Sequence, residues 1–236
     1  MKRLITIFMY TIVIGVLIMA NANIPAVDKS IPGELEAATL GLGCFWGSEA
    51  AFGGVRGIYR TSVGYAGGTK VNPSYYSLGD HTEVVQVWFN PLEISYREVL
   101  EIFWNAHNAF SRNSYRQYMS LILYHNETQK TVAEEFVADK NERMQATAST
   151  EISAFQEFYR AEDYHLKFYL QQNRSVLQDL SRYYDDIFSL DDSTAAARLN
   201  AFLAGRGDPS LLSEEIEDYG LTQRTAEEVK RRLNVR

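Results

Sequence analysis

The amino-acid sequence predicts an α+β fold, and three observations predict it. Two strand–helix–strand runs follow one another between Leu35 and Tyr124, the order of the split βαβ plait in ferredoxin-like folds, although order alone does not fix that topology. Past Asn173 every periodic segment is helical, so an added helical C-terminal region is expected. Apolar residues make up 46% of the 236 residues, ample for a core and far from the composition of a disordered chain.

In chain order, the first segment reads as a targeting sequence. Lys2-Arg3 precedes an uncharged run from Leu4 to Ala20, and Ala20-Asn21-Ala22 offers a cleavage site of the A-x-A kind. Residues 1–22 are therefore expected to be a secretory signal peptide, which sends the protein to the secretory pathway: secreted, in an organelle lumen, or periplasmic. The alternative is an uncleaved signal anchor that tethers the chain to a membrane. Residues 23–34, with Pro25, Pro32 and Gly33, read as a linker.

The first strand spans about residues 35–42, and a helix follows Cys44 as far as Gly53-Gly54. Gly57 to Tyr65 alternates as a second strand, and Gly67 to His81 is a loop of turn formers. In the third strand, Glu83 to Phe89, Val85, Val87 and Phe89 share one face, with Val84, Gln86 and Trp88 on the other. Ser95 and Glu98 form a capping box for a helix that places Val99, Ile102, Phe103 and Ala106 on one side. Met119 to Tyr124 is the fourth strand, and Asn126 with Gln129 opens a helix to about Met144. Glu151 to Ser153 reads as a short strand and Glu162 to Gln172 as helical. In the C-terminal extension, residues 173–236, Ser193 and Gly205 bound one helix and Asp208-Pro209 and Gly220 a second. Thr225 with Glu228 boxes the last.

Bulk properties exclude several functions. A net charge of −7 with no basic cluster argues against nucleic acid as a partner. A single cysteine rules out an intrachain disulfide and a Cys-rich metal site, and His107, His125 and His165 lack ligand spacing, so no metal site is expected. That cysteine, Cys44, stands between a strand and a helix, with glycines crowded from Gly41 to Gly68 around it. Free N–H groups and the positive end of the helix dipole at such a junction favour the thiolate, the nucleophilic form.

The stretch Gly43-Cys44-Phe45-Trp46-Gly47 resembles the signature of the A-type peptide methionine-(S)-sulfoxide reductases. Further matches follow in that family's order: Val63-Gly64-Tyr65-Ala66-Gly67-Gly68, Asn72-Pro73-Ser74-Tyr75, Gly79-Asp80-His81-Thr82-Glu83-Val84-Val85 and Gln117-Tyr118. The likeness covers about residues 35–170. It implies an α+β catalytic domain over 35–172 and an enzyme that reduces methionine-(S)-sulfoxide, in peptides, proteins or free, as antioxidant protein repair.

Such a reaction needs a soft nucleophile for sulfur and an acid for oxygen. Cys44 supplies the first. Glu83 is the candidate acid: it begins an otherwise apolar strand, where desolvation keeps a carboxyl group protonated, and its place in the motif matches the family's acid. By motif position the resemblance makes Tyr65 and Tyr118 phenol donors to the sulfoxide oxygen. Phe45 and Trp46, beside the nucleophile, would wall a slot for the substrate methyl group. His81, counted with Phe45 and Trp46 on the substrate-binding side, either orients the carboxyl group or satisfies a loop backbone. Ala161-Glu162-Asp163-Tyr164-His165 also resembles a family segment near the site, without an assignable role.

The cycle leaves Cys44 as sulfenic acid, which thiols reduce. With no second cysteine and no tightly bound cofactor, regeneration falls to an external thiol: thioredoxin-like, glutaredoxin-like or small. A monomer is expected. Two departures stand out: many family members carry an aspartate and a glycine where this chain has Asn113 and Tyr115, with Arg112 or Arg116 nearby as substitute anchors, and the loop from Asn72-Pro73 to Glu83 is short. The rival reading is a non-turnover protein on the same fold that binds oxidised methionine or senses oxidants. A thiol hydrolase or transferase would need a base for the thiol, and no histidine stands at a recognisable place for one.

Overall fold

The computed structural model describes residues 24–234; the segment read as a signal peptide lies outside the described residues. Its strands are β1 (Glu36–Leu42), β2 (Ile58–Ala66), β3 (Thr82–Phe89), β4 (Ser120–Tyr124), β5 (Glu151–Ala154) and β6 (Phe158–Arg160). The helices are α1 (Ala26–Lys29), α2 (Phe45–Gly53), α3 (Tyr96–Ala106), α4 (Glu127–Met144), α5 (Phe168–Gln171), α6 (Arg174–Leu180), α7 (Ile187–Asp191), α8 (Thr194–Leu203), α9 (Pro209–Glu215) and α10 (Gln223–Arg232). The mixed α+β class is the one the sequence predicts.

Six strands form one sheet in the order β5-β4-β1-β3-β2-β6. Neighbours run antiparallel except β4 and β5, which are parallel. The alternation in β3 decides what lies on either side. Val85, Val87 and Phe89 join Ala38, Leu40 and Ile122 beneath α2, α3 and α4, which contribute Phe52, Val99, Phe103, Ala133 and Phe136. Val84, Leu121 and Leu123 face the other way, under Phe155 and Phe158.

The C-terminal helices form a second apolar cluster centred on Leu170, Val176, Leu199, Leu211 and Tyr219. They are bolted to α2 as well as laid against it. A β-carbon on Gly53 would lie 2.2 Å from the Ala197 carbonyl oxygen, so only glycine lets α2 and α8 approach this closely. Buried Arg198 donates to the carbonyls of Gly53 and Val55 at 2.7 and 3.0 Å, satisfying the exposed C-terminal end of α2. Below α2, the fully buried ammonium of Lys167 donates to Glu49, Asp191 and the Thr61 carbonyl, each at 2.6 Å. Thr61 and Asn200 complete Glu49, and Ser62 completes Asp191.

Four local expectations are corrected. The helix expected over Glu162–Gln172 is instead a 3₁₀ turn (Asp163–His165) and one helical turn, α5, broken at Lys167, whose φ of +48° turns its side chain into the ionic cluster. β6, three residues long, is too short to show alternation and was not expected. The last helix is capped by Thr222, not boxed from Thr225: Thr222 Oγ1 accepts the Thr225 N–H at 3.4 Å. The segment 23–34 carries α1, whose Asp28 accepts the Thr194 N–H at 2.6 Å and a proton from the Tyr184 hydroxyl, fastening this stretch to the C-terminal helices.

Lys167 bridges two buried acidic side chains, and removing one member of such a group strands the rest. Lys167→Met is expected to lower the unfolding free energy by about 3–5 kcal/mol, measured by equilibrium urea denaturation. Adding Glu49→Gln and Asp191→Asn to that protein is expected to recover part of the loss.

Candidate active site

Gly43, with φ at +97°, turns the chain out of β1 so that Cys44 lands at the N-cap of α2. Cys44 is exposed. The Trp46 and Gly47 N–H groups pull its thiol pKa down, as a helix N-terminus should. Burial of the surrounding shell outweighs them, the Glu83 charge adds to the rise, and the net direction is upward. The expectation of a thiolate favoured by the junction is thus corrected: the dipole contribution is present, but desolvation wins.

Glu83 begins the helix-facing side of β3, in register with Tyr65 on β2. Strand parity carries its carboxyl group to the start of α2, where Oε2 accepts the Phe45 N–H at 3.0 Å. Gln117, from the 3₁₀ turn Arg116–Tyr118, donates to Oε1 at 2.6 Å. The side chain is buried, and burial raises its pKa against the pull of those two donors. Tyr118 is half-buried; burial, the Glu83 charge and the Tyr75 phenol push it up to about 12, with Cys44 a smaller contributor. Arg116 straps this turn in place through the carbonyls of Asp80 and Gly67 and through Glu151.

The aromatic side of the site is more elaborate than its sequence suggests. Phe45 is buried against Tyr65 and the edge of His165. Trp46 stacks on Phe168 with ring centroids 3.8 Å apart and planes 6° from parallel, and its indole N–H donates to His165 Nδ1 at 3.1 Å. Nδ1 is therefore the bare nitrogen of a neutral ring, whose Nε2 has no hydrogen-bond partner. Burial lowers the His165 pKa, consistent with neutrality. Glu162 holds the other side: Oε2 accepts the Tyr65 hydroxyl at 2.7 Å and Oε1 the Tyr75 N–H at 2.9 Å.

Cys44, Phe45, Trp46, Tyr65, Glu83 and Tyr118 are thus brought together. His81 is not turned to Glu83: Nδ1 accepts the Gly68 N–H at 3.2 Å and Nε2 lies 2.8 Å from the Lys70 carbonyl, so it pins the glycine loop. Asn113 closes a local turn on the Tyr115 N–H at 3.0 Å, and both are exposed. Gln117, Glu162, His165 and Phe168 are the site residues to which sequence reasoning gave no role.

A thiol beside a buried carboxyl group and aromatic side chains, with no imidazole bonded to the sulfur among the described residues, is the arrangement of a thiol-based enzyme. Comparison with known proteins narrows this class. The family model for peptide methionine sulfoxide reductase matches residues 36–189. A peptide methionine sulfoxide reductase of Drosophila melanogaster is 43% identical over 187 residues, 78% of this chain and 75% of that protein. Peptide methionine sulfoxide reductase A5 of Arabidopsis thaliana is 39% identical over 196 residues, 79% of this chain and 75% of that protein. Among crystal structures, Mxr1 of Saccharomyces cerevisiae in reduced form has a TM-score of 0.55 at 30% identity, covering 61% of this chain and 88% of that one. Methionine sulfoxide reductase A of Corynebacterium diphtheriae has a TM-score of 0.52 at 27% identity, covering 66% of this chain and 84% of that one. The chain belongs to the peptide methionine sulfoxide reductase family, oxidoreductases that reduce methionine sulfoxide in protein repair.

The Gln117 amide stabilises the charged form of Glu83. Gln117→Leu is expected to move the Glu83 pKa further up. Infrared difference spectra, with Glu83→Gln as the reference, should show the protonated carboxyl stretch persisting to higher pH than in the wild-type protein.

Proposed function

We propose that this enzyme reduces the S epimer of methionine sulfoxide through a sulfenic acid on Cys44 and is regenerated by an external thiol. One observation carries the reading: a buried carboxyl group with a raised pKa is hydrogen-bonded to the amide of the residue next to the thiol. Cys44 sulfur attacks the sulfoxide sulfur while Glu83 gives its proton to the oxygen. The oxygen ends on Cys44, so methionine sulfoxide is reduced by two electrons to methionine and Cys44 oxidised by two. Two thiol equivalents from outside the site then return Cys44 to the thiol.

Phe45 and Trp46, the latter fixed by Phe168 and His165, form the slot for the methyl group. Tyr118 is the phenol donor available in the structure as it stands, because the one proton of Tyr65 is held by Glu162. His81 serves the substrate by holding the Gly68–Lys70 loop. The order β4-β1-β3-β2 at the centre of the sheet, with α2 linking β1 to β2 and α3 linking β3 to β4, favours the split βαβ plait reading. We assign catalysis to 35–172 and α2 support to 173–236. Entry to the secretory pathway through 1–22 is tested by sequencing the N-terminus of the mature protein.

With a dithiol as reductant, repeated turnover of a methionine-(S)-sulfoxide peptide is expected, with almost none of the R epimer. Cys44→Ser should abolish it, and Glu83→Gln should slow single-turnover reduction by about 10²- to 10⁴-fold. A protein limited to one equivalent of product would establish the binding or oxidant-sensing alternative instead, and reduction by Cys44→Ser would refute the reading outright.

A further inference from the structure

Cys44 borders a hollow away from its aromatic neighbours. A cavity of about 190 Å³ opens at this residue, lined by Leu42, Gly47, Ala51 and Ala106 and, from the C-terminal extension, Arg206. Phe45, Trp46, Glu83 and Tyr118 are not among its lining residues, so this space lies apart from those side chains. The hydroxyl of Ser48, the remaining wall, is spent on the Cys44 carbonyl at 3.0 Å, which leaves Arg206 as the one charged group.

Arg206 is fixed there by backbone. Its N–H donates to the Ala201 carbonyl at 2.9 Å, and the flanking Gly205 and Gly207 have φ of +72° and +94°. Gly207 meets Gly54 backbone to backbone: a β-carbon on Gly54 would lie 2.6 Å from the Gly207 α-carbon. The Asp208 N–H then donates to the Gly54 carbonyl at 3.1 Å. The loop between α8 and α9 is thereby docked on the end of α2, outside the residues the family model matches. The Arg206 guanidinium is exposed and has no hydrogen-bond or ion-pair partner among the described residues.

We propose that this hollow admits the regenerating thiol and that Arg206 selects small thiols bearing a carboxylate. The proposal rests on the reading above in which Cys44 passes through a sulfenic acid and, among 236 residues, finds no second cysteine. Small side chains leave room for the head of a small thiol at the sulfur but not for a bulky group. A guanidinium fork beside it matches a carboxylate. The incoming thiolate attacks Cys44 sulfur, an S–S bond forms, and the sulfenic oxygen leaves as water. A second thiol attacks that mixed disulfide, releasing Cys44 as thiol and the small molecule as its disulfide. Two thiols are oxidised and Cys44 is reduced by two electrons.

The test starts from protein oxidised with one equivalent of hydrogen peroxide, so it does not require sulfoxide reduction. Rates of sulfenic acid loss are measured with 3-mercaptopropionate, 2-mercaptoethanol and cysteamine, each as the ratio of variant to wild type. Arg206→Glu is expected to slow the anionic thiol about tenfold, leave the neutral one within about twofold and speed the cationic one, and 0.5 M salt should compress the differences. Arg206→Lys should keep the wild-type order. Equal ratios for all three thiols would overturn the proposal, including the case where all fall together. Charge selectivity in a protein that does not reduce sulfoxide would sink the proposed function and leave the hollow standing.

Discussion

The carboxyl group of Glu83 is subject to two opposed pulls, and the site depends on their balance. Burial favours the neutral acid, while the Phe45 amide and the Gln117 side chain favour the carboxylate. A carboxyl group left wholly to burial would hold its proton too tightly to give it up, and one left wholly to its donors would have none to give. The same group acts on the nucleophile: its negative charge raises the Cys44 pKa, and that repulsion vanishes once Glu83 is protonated. The carboxyl group and the thiol are thus coupled electrostatically.

That coupling needs the first turn of α2 to stay fixed over β3, and the supports lie well away from the sulfur. The Lys167 cluster grips Glu49 on the underside of the helix, Arg198 holds its last carbonyls, and Ala197 abuts Gly53. On the aromatic side, His165 and Phe168 hold Trp46, and Glu162 holds Tyr65. Several of these contacts come from residues after Leu166. The C-terminal extension, which reads in sequence as plain helical cover, therefore helps fix α2 through Arg198 and Ala197.

What could be read in advance follows the range of the interactions involved. The strands β1 to β4, the caps Ser95, Asn126, Ser193 and Asp208, and the alternation in β3 are local, and they were legible. The burial of Glu83 was legible because its strand is apolar and its motif specific. Lys167 was not: a lysine in a presumed helix gives no sign that it will be drawn inward by carboxylates 118 and 24 residues away. Glu162 lay in a recognised segment, but its hold on Tyr65 spans 97 residues and leaves no periodic trace. The upward shift of Cys44 went unread for a related reason. A helix N-terminus is visible in sequence, whereas the shell that dries it is assembled by the whole fold.

The absence of a side chain at Gly53 carries a cost in evolutionary latitude. A single methyl there would strike a backbone carbonyl, which cannot swing aside as a flexible side chain would. Drift at this position is closed unless α8 retreats, and α8 is held by its own arginine. The two halves of the molecule must therefore change in concert, so any reshaping of the extension has to keep the spacing at this one glycine.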